Sequence, residues 1–163
     1  MAEYRGPDAV AIKLDVNGEI RALHAEPRLT LLDALRFELG LTGAKKVCDR
    51  GDCGACTVLV DGHTAYACLA LAVASEGKKI ETIEGGSREV AAVEEAFIAQ
   101  DAYQCGYCTP GQIMSLAGLL RREPHPTEEQ VRAAVAGNLC RCGAYPNIVK
   151  AGVAASRPAA VAR

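Results

Sequence analysis

Cysteine is the residue type through which this 163-residue chain can do chemistry, and there are eight of them. Cys48, Cys53 and Cys56 crowd one short loop, and Cys68 follows after eleven intervening residues. Cys105 and Cys108 form a second group with Cys140 and Cys142, after thirty-one intervening residues. Thiols in such numbers form disulfides, hold zinc, or hold iron with inorganic sulfide. The start, Met1-Ala2-Glu3-Tyr4-Arg5-Gly6-Pro7, has no apolar segment behind a basic end, and Arg121-Arg122 lies too deep for a twin-arginine signal. The expected compartment is therefore the cytoplasm, where reducing conditions keep thiols free and favour metal ligation over disulfides.

The first group, with three ligands on a tight loop and one distant, has the plant-type ferredoxin spacing for a [2Fe–2S] cluster. Zinc sites normally use two separated pairs, so one loop carrying three thiols argues against zinc. Gly51 and Gly54 let the backbone come close enough for its N–H groups to face the sulfides. In the second group two pairs must meet in space, and taken alone that also describes a zinc site. The one-residue gap in Cys140-Arg141-Cys142 is tighter than the usual zinc knuckle and tilts the reading toward a second cluster.

The elements that must position these loops follow from periodicity. Val10, Ile12, Leu14 and Val16 alternate, Asn17-Gly18 makes a tight turn, and Ile20 to Leu23 resumes an apolar run: a β-hairpin. Thr30 stands three residues before Asp33 and caps a short helix carrying Leu31, Leu32, Leu35 and Leu39 up to Gly40. The three-cysteine loop should be exposed. Thr57 to Val60, Asp61-Gly62 and Thr64 to Cys68 give a second hairpin, and Lys79 to Ile83 a further strand.

After Gly85-Gly86-Ser87 every segment reads as helical. Val90, Val93, Phe97 and Ile98 share a face in the first helix. Thr109 caps and Pro110 opens the second, which runs to about Arg122. Thr127 with Gln130 is a capping box for the third, ending at Gly137, and the fourth starts near Pro146 with Ile148, Val149 and Val153 inward. The tail from Arg157 should be loose. The expected division is an N-terminal domain over 1–84 and an all-helical domain over 85–163.

Composition sets limits on function. A formal net charge of −2, with no basic run, excludes nucleic acid as an expected partner, and no stretch is long and apolar enough to span a membrane. His24, His63 and His125 have no acidic or nucleophilic partner at a recognisable spacing, so no catalytic residue is expected.

Three strings, Gly51-Asp52-Cys53-Gly54-Ala55-Cys56-Thr57-Val58, Gln104-Cys105-Gly106-Tyr107-Cys108-Thr109-Pro110-Gly111 and Gly137-Asn138-Leu139-Cys140-Arg141-Cys142, occur in this order. With them the chain resembles the small iron–sulfur subunit of the xanthine oxidase family of molybdenum hydroxylases, over nearly everything from Ile12 to Val153. The resemblance implies an α+β chain: an N-terminal β-grasp ferredoxin-like domain, then a C-terminal four-helix bundle, each with one [2Fe–2S] cluster. It implies electron relay from molybdopterin in a large catalytic subunit to a flavin (FAD) subunit or an outside acceptor, during hydroxylation of an aldehyde or N-heterocycle. It also implies that Gln104 and Cys142 touch the pterin and that Asp49 and Arg50 lie toward the flavin side.

The sequence departs from the family in two places. Val47 stands where relatives commonly carry glycine, and Gly143-Ala144-Tyr145 where many read Thr-Gly-Tyr, which is more like some bacterial aldehyde oxidoreductases. The competing functions are a free-standing ferredoxin-like carrier, which leaves the helical half unexplained, and a zinc-stabilised interaction module. Docking to a large subunit calls for apolar surface around the second cluster.

Overall fold

The computed structural model describes residues 7–156, so the tail expected to be loose from Arg157 lies outside the described residues. Strands β1 (Val10–Val16) and β2 (Glu19–Ala25) pair antiparallel across Asn17-Gly18, both at positive φ, 55° and 80°. β3 (Thr57–Val60) and β4 (His63–Tyr66) do the same across Asp61 and Gly62, at 50° and 80°. Both turns therefore have the mirror-image twist that matches right-twisted strands, as the Asn-Gly and Asp-Gly pairs dictate. β5 (Lys79–Glu81) lies between the hairpins, parallel to β1 and antiparallel to β3, giving the order β2-β1-β5-β3-β4. This mixed five-stranded sheet is the β-grasp arrangement expected. β5 stops short of the expected Ile83, which opens a 3₁₀ turn over Ile83–Gly85.

Ile12, Leu14 and Val16 face the core with the period of two that a half-buried strand requires. The run through Ile20 is a different case. Leu23 and Ala25 set the inward parity of β2, so even-numbered Ile20 points to solvent on this edge strand. Thr30 caps α1 (Leu31–Asp33) as expected, its hydroxyl accepting the Asp33 N–H at 3.0 Å. The regular helix expected to follow is instead one wide turn, Ala34–Glu38, closed by Leu39 N–H on the Ala34 carbonyl. From that turn Arg36 Nη1 donates to the carbonyls of Thr42 and Ala44, at 2.8 and 2.7 Å, and fixes the approach to the first cysteine loop.

Four helices follow: α2 (Arg88–Ala99), α3 (Thr109–Arg122), α4 (Glu128–Val135) and α5 (Tyr145–Ala155). Val90, Val93 and Phe97 are buried, but Ile98 is 70 % exposed and does not share their face. At 100° per residue it stands a full step round from Phe97. α3 is the central helix, with every residue from Gly111 to Leu120 buried. Leu59 of β3 belongs to the core that α3 organises, so the sheet and the bundle share one seam. The Thr127–Gln130 capping box is present in both directions, at 2.7 and 3.3 Å. Thr127→Ala should cost about 1 kcal/mol, read as a lowered urea midpoint with an unchanged slope.

One polar clasp locks the β1–β2 turn onto the end of β5, and a second ties the sheet to the bundle. Asn17 Nδ2 donates to Thr82 Oγ1 at 2.9 Å, and its Oδ1 accepts Thr82 N–H at 2.8 Å. Arg121 of α3 reaches Glu81 at 3.0 Å and Glu89 at 3.2 Å, with Ser87 accepting as well. Nearby, Glu84 accepts Gly43 N–H at 2.8 Å. Burial pushes its carboxyl up, but the Thr82 hydroxyl, the Gly43 N–H and Lys45 outweigh that and hold it below the ordinary carboxylate range. A depressed folded-state pKa contributes stability above the unfolded value, and that stability is lost as pH falls through the folded one. Glu84→Gln should therefore cost about 0.5 kcal/mol near neutral pH, after allowance for solvent screening. The gap should close well below about pH 4, as urea midpoints taken across pH would show.

Candidate iron–sulfur centres and the seam between them

The first loop is held at both ends. Lys46 Nζ bridges Asp33 at 2.9 Å and Asp49 at 3.1 Å. Asp49, Gly51 and Gly54 take positive φ, 55°, 84° and 69°, curling the backbone so that its N–H groups face inward. Asp52 N–H points at Cys48 Sγ, 3.3 Å away. The Arg50 N–H, together with those of Cys53 and Asp52 and the Cys53 thiol, outweighs burial and brings Cys48 down to about 6. N–H donors converging on sulfur are what a negatively charged iron–sulfur group requires.

Cys56 is the opposite case: burial, with the adjacent Cys68 thiol, pushes it up to about 12. The loop was expected to be exposed, and Asp49, Arg50 and Asp52 are, but its stretch from Cys53 to Cys56 is buried. The second cysteine loop covers it, because Leu139 N–H donates to the Cys53 carbonyl at 2.9 Å. The Tyr66 hydroxyl is raised first by burial and then by Cys56, Cys53, Cys48 and Cys68, so the four thiols gather on its side of the sheet.

In the second group the Cys108 carbonyl accepts Gln112 N–H at 3.1 Å, which makes Cys108 itself the cap of α3 and places Thr109 inside the helix, one step from the expected start. Cys108 is pushed up to about 12 by burial and by the Cys140 thiol beside it. Cys105 is lowered by the Tyr107 N–H and by the Cys142 thiol, and it is exposed. Cys140 Sγ accepts Ala144 N–H at 3.5 Å. Within its own group each shifted thiol feels one neighbour most directly, Cys48 the Cys53 thiol, Cys56 that of Cys68, Cys105 that of Cys142 and Cys108 that of Cys140. Among the described residues no three metal-ligating side chains close on a point fit for a single ion. Two thiolates for each of two irons is the arrangement that paired thiols suit.

Tyr103 and Tyr107, on either side of Cys105 in the chain, are exposed by 42 % and 53 %, and Leu139, next to Cys140, by 57 %. Gln104 is exposed between Tyr103 and Cys105. Val47 points outward near the first loop, and Gly143 takes φ +73°, a conformation glycine supplies readily. All three histidines are exposed.

Sequence reasoning gave Gly54 a role only toward the sulfides, and gave none to Gly111, Gly137 or Asn138. Gly54, Gly111 and Gly137 meet so closely that a Cβ on Gly54 would strike the Gly137 carbonyl, one on Gly111 the Gly54 carbonyl, and one on Gly137 the Tyr66 hydroxyl. Asn138, buried between them, donates to the Gly54 carbonyl at 2.9 Å and to Thr57 Oγ1 at 3.2 Å. The signal in the sequence was that each glycine falls inside one of the three cysteine strings, with Asn138 following Gly137.

Residues 14–82 match the family described as 2Fe-2S iron–sulfur cluster binding domain, and residues 80–152 the one described as [2Fe-2S] binding domain. The aldehyde oxidoreductase iron–sulfur-binding subunit of Escherichia coli O157:H7 is 46 % identical over 162 residues, covering 89 % of this chain and 71 % of the relative. The chain belongs to the iron–sulfur subunits of the molybdenum hydroxylases. The nicotine 6-hydroxylase small subunit of Paenarthrobacter nicotinovorans is likewise 46 % identical, covering 88 % of each chain. The structure of quinoline 2-oxidoreductase from Pseudomonas putida 86 superposes at a TM-score of 0.86, with 41 % identity over 91 % of this chain and 94 % of that one. As an iron–sulfur subunit of this family, the chain carries two [2Fe–2S] clusters and serves electron transfer in an oxidoreductase with a larger catalytic partner. Among the described residues no helix is long and apolar enough to cross a membrane.

Proposed function

We propose that this subunit relays electrons, one at a time, from a molybdopterin centre in the large catalytic partner to a flavin (FAD) subunit or an external acceptor, during hydroxylation of an aldehyde or an N-heterocycle. Cys105, Cys108, Cys140 and Cys142 hold the receiving cluster, and Cys48, Cys53, Cys56 and Cys68 the delivering one. The observation that carries this reading is the asymmetry of the two thiol groups. One has three of its four thiols buried, and the other reaches the surface at Cys105, flanked by exposed Tyr103 and Tyr107, with exposed Leu139 beside Cys140. A thiol at the surface within an apolar rim suits docking against a chain that donates electrons. Gln104 and Cys142 contact the pterin there, and Asp49 and Arg50 face the acceptor. Substrate is handled in the partner, and this chain sets position, burial and hydrogen bonding around its irons. The chain divides between these tasks at about residue 84, in a cytoplasmic complex.

Anaerobic purification of the untagged complex tests this. About four iron and four sulfide per chain, two rhombic signals in the reduced-state EPR spectrum and co-purifying molybdenum are expected. Zinc without sulfide would sink both the clusters and the relay. In the same complex Cys108→Ser should remove one EPR signal, leave about two iron per chain, and stop reduction of the acceptor.

A further inference from the structure

We propose that Asn138 is a positioning residue that sets the electronic coupling between the two clusters, with Ser115 and Gln112 holding it in place. This rests on the two-cluster relay proposed above. Leu139 N–H donates to the Cys53 carbonyl at 2.9 Å, and Leu139 is covalently joined to Cys140. A ligand of one cluster is thereby connected to a ligand of the other through one residue and one hydrogen bond. Asn138 precedes that bond and keeps it in register. Its Nδ2 holds Gly54, the residue after Cys53, and its Oδ1 accepts from Ser115 Oγ at 2.8 Å. Its carbonyl accepts from Gln112 Nε2 at 2.8 Å and from the Tyr145 hydroxyl at 3.2 Å, while Tyr145 in turn takes the Cys140 N–H at 2.8 Å.

Gln112 is wholly buried and its Oε1 has no hydrogen-bond partner among the described residues. An unpaired buried amide oxygen works against folding. Stability alone therefore does not account for glutamine at this place, and the contact it does make is with Asn138. The glycine contacts at Gly54, Gly111 and Gly137 leave the loops no slack, so this network decides whether the Leu139–Cys53 hydrogen bond is straight or broken. One electron leaves the cluster held by Cys105, Cys108, Cys140 and Cys142, and one arrives on that held by Cys48, Cys53, Cys56 and Cys68. The first is oxidised and the second reduced by the same electron, and no bond or proton in this chain changes hands.

The test uses the intact anaerobic complex carrying Asn138→Ala or Ser115→Ala. Iron and sulfide content, the spin–spin splitting of the fully reduced EPR spectrum, rapid-freeze transfer between the clusters, and hydrogen exchange at residues 137–141 are read together. Asn138→Ala with full iron should lose most of the splitting, expose the Leu139 N–H to exchange, and slow transfer by about tenfold. Ser115→Ala, which leaves the Gly54 bond in place, should move each readout the same way by about threefold. A purely structural role would lower thermal stability or iron content and leave splitting and transfer at parent values in loaded protein. That result in either variant overturns the proposal, and if Asn138→Ala does not load iron, Ser115→Ala decides. Absence of iron from the parent chain would instead defeat the relay reading itself.

Discussion

Gly54→Ala should cost several kcal/mol and strip iron from both halves of the chain, whereas Gly18→Ala should cost only about 1 kcal/mol and leave the iron in place. Both glycines sit at positive φ, +69° and +80°, so both substitutions meet the same backbone penalty. What differs is the space around them. Nothing lies within 4 Å of a Cβ built on Gly18. A Cβ on Gly54 strikes the Gly137 carbonyl and lies 2.7 Å from Asn138 Nδ2, a backbone atom and a buried amide that already has its partners. Neither can yield without separating Leu139 from Cys53, so the damage spreads from the first loop to the second. Iron per chain and the thermal midpoint of each purified variant would check this. Equal behaviour of the two variants would mean that the seam is softer than it looks.

Phe97→Ala should destabilise the helical half by about 3–5 kcal/mol, and the melting midpoint should fall by roughly 10 °C. Phe97 is 1 % exposed and is among the largest fully buried side chains of the core that α2 shares with α3, α4 and α5. Large-to-small changes cost most where the walls cannot collapse, and here one wall is α3, already fixed between the sheet and the bundle. The loss is a large share of an ordinary domain's stability. The second cluster's visible absorbance should bleach before the first on heating. Ile98→Ala, one residue along but facing solvent, should change the midpoint by no more than about 1 °C.

These two comparisons mark what a sequence can and cannot tell. The hairpins were legible because Asn-Gly and Asp-Gly each demand positive φ at both turn positions. The caps at Thr30 and Thr127 were legible because a hydroxyl three residues ahead of a partner is a local event. That Cys48, Cys53 and Cys56 share one short loop was readable for the same reason. Ile98 was misplaced because it follows a true core residue, and one step of 100° separates core from solvent. The wide turn at Ala34–Glu38 left no mark in the leucine spacing. Burial of the first loop could not be seen at all, since it comes from a loop more than eighty residues distant in the chain. Asn138 is the sharpest case. An asparagine in a glycine-flanked turn is ordinarily a solvated turn residue; its value here depends on Gly54, Thr57, Ser115 and Gln112, which only the folded chain assembles around it.

The Arg121 clasp has a bearing on how such a complex is built. By joining Glu81 at the end of the sheet to Glu89 at the start of the bundle, it fixes the two halves before any other subunit arrives. All eight thiols and the whole of the seam are likewise supplied by this one chain. The distance between the two proposed clusters is therefore a property of this chain's own fold, set by the seam and the clasp and not by the geometry of docking.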